Sequence, residues 1–204
     1  PSDLSPASAI HLGLGRACIV TAEESSLTCW GINTRGLSST PNSLSRVDNV
    51  ASGGGHACEL QGVTLACWGD NDDGQIDIPN SVENPTAIAT GAEHSCAISD
   101  GMVICWGGNA YGQTEVPDTI VNPQVLVAGD YFTCALTDQN IQCWGDDGQG
   151  QSKPPSILIN PSLIDAGDYH NCATTGDGLE CWGSNGAGET NVPSDLGEST
   201  RLAL

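Results

Sequence analysis

Ten cysteines are the residues of this chain with the plainest chemistry, and they fall into five pairs. Two thiols at such spacings can form a disulfide, ligate a metal, or stay reduced as small buried side chains. A zinc site is disfavoured because the C-x2-C spacing typical of such sites is absent. We therefore predict disulfides in an oxidising compartment, with ten buried reduced thiols as the alternative.

The pairs belong to a repeat of 38 residues. A tryptophan and a glycine follow the second cysteine of each pair, and a proline lies twelve positions after that cysteine. We expect a single domain over residues 1–204, and the leading strand starts a sixth time near the end of the chain. The repeats are predicted at about 1–40, 41–78, 79–116, 117–154 and 155–192, with 193–204 as the start of a sixth.

Each repeat predicts three short strands and no helix. In the third repeat, "SCAIS" and "MVICW" flank Asp100-Gly101, and this dipeptide favours a tight hairpin turn. Pairs counted back from the turn place Cys96 opposite Cys105 in a non-hydrogen-bonded pair, with Cα atoms about 4.5 Å apart. A disulfide can form at that distance. The same count, with a four-residue tip in the first repeat, predicts Cys18–Cys29, Cys58–Cys67, Cys134–Cys143 and Cys172–Cys181.

Residues 91–117, "GAEHSCAISDGMVICWGGNAYGQTEVP", resemble the repeats of the regulator-of-chromosome-condensation family. They are most similar to the short three-stranded version found in secreted beta-lactamase inhibitory proteins. The first repeat departs from the pattern, with Arg16 in place of His and Leu37 in place of Gln. The resemblance implies an all-β fold, a five-bladed β-propeller with one blade per repeat. It also implies binding through aromatic-rich loops on one propeller face.

Two adjacent positions ahead of each first cysteine supply the candidate binding face. The position two residues before it would surround the axis of a propeller. A ring of histidines there could bind a metal or ligand, but a repeated structural hydrogen bond is the favoured interpretation. The preceding position carries two tyrosines, and exposed aromatic side chains are typical of interaction hot spots. The predicted face comprises Arg16, His56, Glu93, His94, Tyr131, Phe132, Tyr169 and His170.

No catalytic motif of the G-x-S-x-G or H-E-x-x-H kind is present, so we expect neither an enzyme nor a cofactor. The acidic segment 69–77 is similar to a calcium loop, but its spacing differs and favours a turn, so no metal site is expected. The net charge of −20, with five basic residues, argues against nucleic acid and anionic membranes as partners. No apolar run approaches the roughly 20 residues that span a bilayer.

The leading hypothesis is a secreted, non-enzymatic propeller that binds another macromolecule through loops on one face. Its partner would be a protein or a neighbouring copy of the chain. A structural surface or filament subunit, linked through its terminal strands, is the first alternative, because the leading strand occurs six times and the hairpin five times. A carbohydrate-binding propeller is the second alternative, and exposed tryptophans would support a glycan partner.

Overall fold

The fold is known from a computed structural model, which describes residues 7–13, 16–21, 27–31, 33, 36, 38, 40, 47–176 and 178–193. For residues 7–16 and Thr21 the description covers the backbone alone. No α-helix occurs in these ranges, and hence none that could span a membrane. The described strands are β1 (Ala7–Gly13), β2 (Arg16–Thr21), β3 (Leu27–Gly31), β4 (Asn49–Ser52), β5 (His56–Gln61), β6 (Thr64–Gly69), β7 (Pro85–Thr90), β8 (His94–Ser99), β9 (Met102–Gly107), β10 (Pro123–Ala128), β11 (Phe132–Thr137), β12 (Ile141–Gly145), β13 (Leu163–Ala166), β14 (His170–Thr175) and β15 (Gly178–Gly183).

Every repeat forms one antiparallel sheet of three strands in sequence order, from β1-β2-β3 to β13-β14-β15. These sheets are blades 1 to 5. The predicted all-β fold, a β-propeller with one blade per repeat, is confirmed. The predicted start of a sixth repeat at 193–204 falls almost wholly outside the described residues.

The hairpin of blade 3 has the predicted turn and register. Asp100 and Gly101 both have positive φ, at 49° and 77°, which a type I′ turn requires. Ser99 pairs with Met102 across the turn, so Cys96 faces Cys105. All five predicted disulfides are present, with Cα atoms 4.0–4.1 Å apart: Cys18–Cys29, Cys58–Cys67, Cys96–Cys105, Cys134–Cys143 and Cys172–Cys181.

The middle strand of a blade is covered on both of its faces. In β8 and β11 every residue is buried, although these strands carry mainly small side chains. Neighbouring blades supply the cover: Ile88, Ala97 and Trp106 of blade 3 pack against Cys58 and Leu60 of blade 2. The same cluster recurs between blades 3 and 4 and between blades 4 and 5. Small residues in the middle strand therefore let the blades stack closely.

Blade 2 carries a carboxylate at a position where blades 3, 4 and 5 carry alanine. Glu59 of β5 occupies the position of Ala97, which is fully buried in blade 3. It lies opposite Val50 in the register, and Val50 packs against Val20 of blade 1. Glu59 is only 1% exposed, and its Oε1 atom has no hydrogen-bond partner. Burial raises its pKa to about 7, because the charged form is poorly solvated between the blades.

Candidate partner-binding face

Two sets of loops meet at one edge of the propeller. In a three-stranded antiparallel blade, the loop joining the first two strands and the segment after the third strand leave the sheet at the same end. The hairpin tip leaves at the opposite end. Glu93, Tyr131 and Tyr169 lie in the first set of loops, in blades 3, 4 and 5, and Tyr111 lies in the second set, after β9. The topology therefore places side chains from separate repeats at one end of the molecule.

Three tyrosines dominate this end. The rings of Tyr111 and Tyr131 are in contact, with centroids 5.0 Å apart and planes tilted by 42°. Tyr111 remains 53% exposed and Tyr169 39% exposed. The Tyr169 hydroxyl donates to the Asp130 carboxylate, and this bond is the main reason why its pKa is raised to about 12. The tyrosines thus leave ring surface open to solvent, while one of them is fixed by a carboxylate.

Carboxylates surround the tyrosines. Burial raises the pKa of Glu93, and repulsion by Asp73, Asp130 and Asp70 raises it further. Burial also raises the pKa of Asp130, with the Tyr169 hydrogen bond opposing this and Asp168 adding to it. We call the surface formed by the three tyrosines and three carboxylates that act on them the tyrosine face: Glu93, Tyr111, Asp130, Tyr131, Asp168 and Tyr169.

Backbone hydrogen bonds hold these loops in register from blade to blade. The Ala92 amide donates to the carbonyl of Asp130, and the Asp130 amide donates to the carbonyl of Asp168, both at 3.0 Å. Within blades, the carbonyls of Tyr131 and Tyr169 each accept an amide from the residue after the third strand, at 2.8 Å. The face is therefore built on a fixed backbone rather than on independent loops, which lowers the ordering cost of binding.

Three of the predicted contact residues lie beneath the surface. His56, His94 and Phe132 have no exposed surface at all. Their prediction as contact residues is corrected accordingly, because the neighbouring blade covers their side chains. His170 is partly buried, and the Arg16 side chain is outside the described residues. Of the predicted face, Glu93, Tyr131, Tyr169 and His170 keep part of their surface exposed to solvent.

The buried histidines form the repeated structural hydrogen bond considered from the sequence. Thr133 Oγ1 donates to the main-chain carbonyl of Gln113 at 3.2 Å, so the His94 Nε2–H 2.9 Å away donates to Thr133. The Trp144 Nε1–H donates to the same Gln113 carbonyl at 2.9 Å. Burial, and then the neighbouring His56, lower the pKa of His94 to about 4, which keeps the ring neutral. These hydrogen bonds join blade 3 to blade 4, and we call this network the lock between the two blades.

The lock recurs between blades 2 and 3, with His56, Ser95 and Trp106 around the carbonyl of Gln75. In blade 5 Asn171 and Trp182 donate to the Gln151 carbonyl. The tryptophans of blades 2 to 5 are only 6–7% exposed. The tryptophans of these four blades are therefore not exposed for stacking on sugars. Those of blades 3 to 5 pack between neighbouring blades instead.

The side chains of the acidic segment 69–77 form hydrogen bonds within the segment itself. Asn71 donates to Asp77, and the amides of Asp72 and Asp73 donate to Asp70 and Gln75. This is the turn favoured from the sequence. Across the described residues, no three His, Cys, Asp or Glu side chains converge as metal ligands.

Sequence reasoning missed Tyr111 and the carboxylates of Asp130 and Asp168. Asp130 and Asp168 could have been noticed, because the run Gly-Asp-Tyr occurs in both repeats. Tyr111 gave no such signal, since only the path of the segment after β9 brings it beside Tyr131.

Comparisons with known proteins agree with this architecture. Residues 86–113 and 126–151 match the regulator of chromosome condensation (RCC1) repeat. No protein of curated function matches the chain in sequence. The ectodomain of the Physcomitrella patens receptor kinase CR4 is 28% identical, with a TM-score of 0.71 over 87% of this chain and 50% of that one.

Two further structures share the fold. The ectodomain of the Arabidopsis thaliana receptor kinase ACR4 is 26% identical, with a TM-score of 0.67 over 85% of this chain and 64% of that one. Prp20p from Saccharomyces cerevisiae, described with its binding properties to Gsp1p and histones, is 20% identical, with a TM-score of 0.74 over 92% of this chain and 59% of that one. The chain therefore spans between half and two thirds of the length of these three solved chains.

Proposed function

We propose that this chain, a propeller of RCC1-type repeats, is a non-enzymatic binding module that works outside the cell and docks a protein partner on the tyrosine face. The repeats supply a rigid platform and the loops supply the recognition surface. The function of a propeller depends on its loops rather than on its fold.

The observation that carries the proposal is the grouping of three partly exposed tyrosines from three separate loops. Tyrosine offers a large ring with few rotatable bonds, and it is enriched among residues that dominate binding energy. Tyr111 and Tyr131 already contact each other, and Tyr169 is held by Asp130. The three rings thus form a surface whose shape exists before a partner arrives.

An extracellular setting is supported by the cysteines. All ten are paired in the five disulfides, and disulfides persist in oxidising compartments. Two of the similar structures are receptor ectodomains, which is consistent with the same environment.

A site-specific crosslinking experiment tests the proposal. The photoreactive residue benzoylphenylalanine is placed at Tyr111 or at Tyr169, and the protein is irradiated with the extracellular fraction of its source organism. The matched control carries the same residue at Met102, which is 63% exposed at the hairpin tip on the opposite edge. We expect a protein adduct of one defined mass from both face positions and none from the control.

Two outcomes would contradict the proposal. An adduct from Met102 alone would place the binding surface at the hairpin edge. An adduct that contains only copies of this chain would favour the structural subunit that the sequence left as an alternative.

A further inference from the structure

We infer that the partner presents lysine or arginine side chains of a polypeptide segment to the tyrosine face, where Tyr131 and Tyr169 flank Asp130. This inference rests on the proposed function, because it names the chemistry of the partner at the same surface.

The first reason is the charge of the face. Glu93, Asp130 and Asp168 come from three successive blades, and Asp73 of blade 2 adds a fourth carboxylate close enough to act on Glu93. Burial is the main cause of the raised pKa values of Glu93 and Asp130. Repulsion by neighbouring carboxylates adds to it, from Asp73, Asp130 and Asp70 at Glu93 and from Asp168 at Asp130. A cationic partner would relieve this repulsion, and an anionic one would increase it.

The second reason is that the described residues supply no counterion at this surface. Lys153 is the one lysine or arginine whose side chain lies within the described part of the chain, and it is paired with Asp147. Within the described residues, the carboxylates of the tyrosine face thus have no lysine or arginine partner, and a cation brought by another molecule would supply one. Charge complementarity at a docking surface also speeds association and rejects partners of the wrong sign.

The third reason is the tyrosine rings themselves. A lysine ammonium or an arginine guanidinium is attracted to the face of an aromatic ring, and arginine can also bind a carboxylate with two hydrogen bonds. Tyr131 and Tyr169 stand beside Asp130, so a single cation can reach a ring and a carboxylate together. A surface on which aromatic rings lie beside carboxylates is therefore suited to bind basic side chains.

A polypeptide suits this surface better than a metal ion. Within the described residues, no three acidic or histidine side chains converge on one point as metal ligands would. The acidic and aromatic groups are instead spread over the loops of blades 2 to 5. A segment with several basic side chains can engage such a row of sites at once.

The test begins with a selection. Random twelve-residue peptides displayed on phage are selected against the immobilised, oxidised protein in 150 mM sodium chloride. Enriched sequences are synthesised with a fluorophore, and their dissociation constants are measured by fluorescence anisotropy. We expect arginine and lysine above their frequency in the library.

Matched variants separate the effect of charges on the tyrosine face from the effect of the overall charge of the protein. The double variant Glu93→Gln/Asp130→Asn removes two charges from the face and keeps a side-chain oxygen that can accept the hydrogen bond of the Tyr169 hydroxyl. The control, Glu83→Gln/Asp100→Asn, removes two charges at the hairpin edge of blade 3. We expect the face variant to weaken binding about tenfold and the control less than twofold. Melting temperatures of all variants are compared to verify folding.

The outcomes distinguish this inference from the proposed function. Peptides that lose binding with Tyr131→Leu but lack basic residues would overturn the inference and leave the proposed function standing. Basic peptides weakened equally by both double variants would show attraction to bulk charge and would also overturn the inference. Peptides indifferent to Tyr131→Leu and to the face charges would overturn both.

Discussion

The buried carboxylate of Glu59 makes the stability of this protein depend on pH in a direction that can be measured. In the unfolded chain Glu59 titrates near its ordinary value of 4.5, and in the folded chain burial raises its pKa to about 7. Because the folded state favours the protonated form, the free energy of unfolding falls as pH rises between these two values. Below 4.5 the carboxyl is protonated in both states, and above 7 the full penalty is present.

The magnitude follows from the pKa values. A tenfold difference in proton affinity corresponds to about 1.4 kcal/mol, so the shift from 4.5 to about 7 costs at most about 3 kcal/mol at high pH. Removing the charge with Glu59→Gln removes this cost. We expect the variant to gain up to about 3 kcal/mol on the wild type between pH 4 and pH 8. The constant effect of burying an amide cancels in that difference.

Urea unfolding followed by tryptophan fluorescence at pH 4, 6, 7 and 8 provides the assay. Glu83→Gln is the matched control, because Glu83 is exposed and its substitution removes the same charge. Glu59→Ala is the second variant, because alanine is fully buried at this position in blades 3, 4 and 5. Stability differences for both Glu59 variants that stay the same within about 0.5 kcal/mol from pH 4 to pH 8 would refute the reasoning.

Three further predictions concern the stability of the fold. Gly91→Ala should lower the free energy of unfolding by more than about 3 kcal/mol, because the new Cβ would lie 2.2 Å from His94 Cε1 and 2.4 Å from the Gly129 carbonyl oxygen. The control Gly176→Ala, whose Cβ would have no atom within 4 Å, should change it by less than about 1 kcal/mol, and equal losses in urea titrations would contradict the steric explanation. Thr133→Val removes the hydroxyl of the lock between blades 3 and 4 and should lower the free energy of unfolding by about 1–3 kcal/mol in the same assay. The same substitution at the exposed Thr86 should leave it nearly unchanged, and a Thr133→Val variant as stable as the wild type would show that the lock adds no stability. The five disulfides contribute up to about 2–3 kcal/mol each, a total comparable with the roughly 5–15 kcal/mol that stabilises a typical domain, so reduction of all five should unfold the protein at room temperature. Circular dichroism that stays unchanged in reductant would contradict this prediction.

The strands and the disulfides could be predicted because their causes are local. A two-residue turn at Asp100-Gly101 fixes the register of its hairpin, and the register decides that Cys96 faces Cys105. The resemblance of the repeats then led from sheets to a propeller.

The depth of a side chain could not be predicted in the same way. His94 and Tyr131 occupy adjacent positions of the repeat, yet His94 is covered by the next blade while Tyr131 keeps part of its surface exposed. Coverage depends on how closely the blades stack, and this is a property of neighbouring repeats rather than of one repeat. Glu59 could have been noticed, since alignment of the repeats places it where Ala97, Ala135 and Ala173 stand.

The central claim is that the partner binds at the tyrosine face, and the most direct measurement is the affinity of the crosslinked partner for two single variants. Tyr131→Leu removes a ring from the face, and Met102→Ser removes an exposed apolar side chain from the opposite edge. We predict that Tyr131→Leu raises the dissociation constant at least about tenfold, which equals about 1.4 kcal/mol, while Met102→Ser changes it less than twofold. An unchanged affinity for Tyr131→Leu, with a loss for Met102→Ser, would contradict the account.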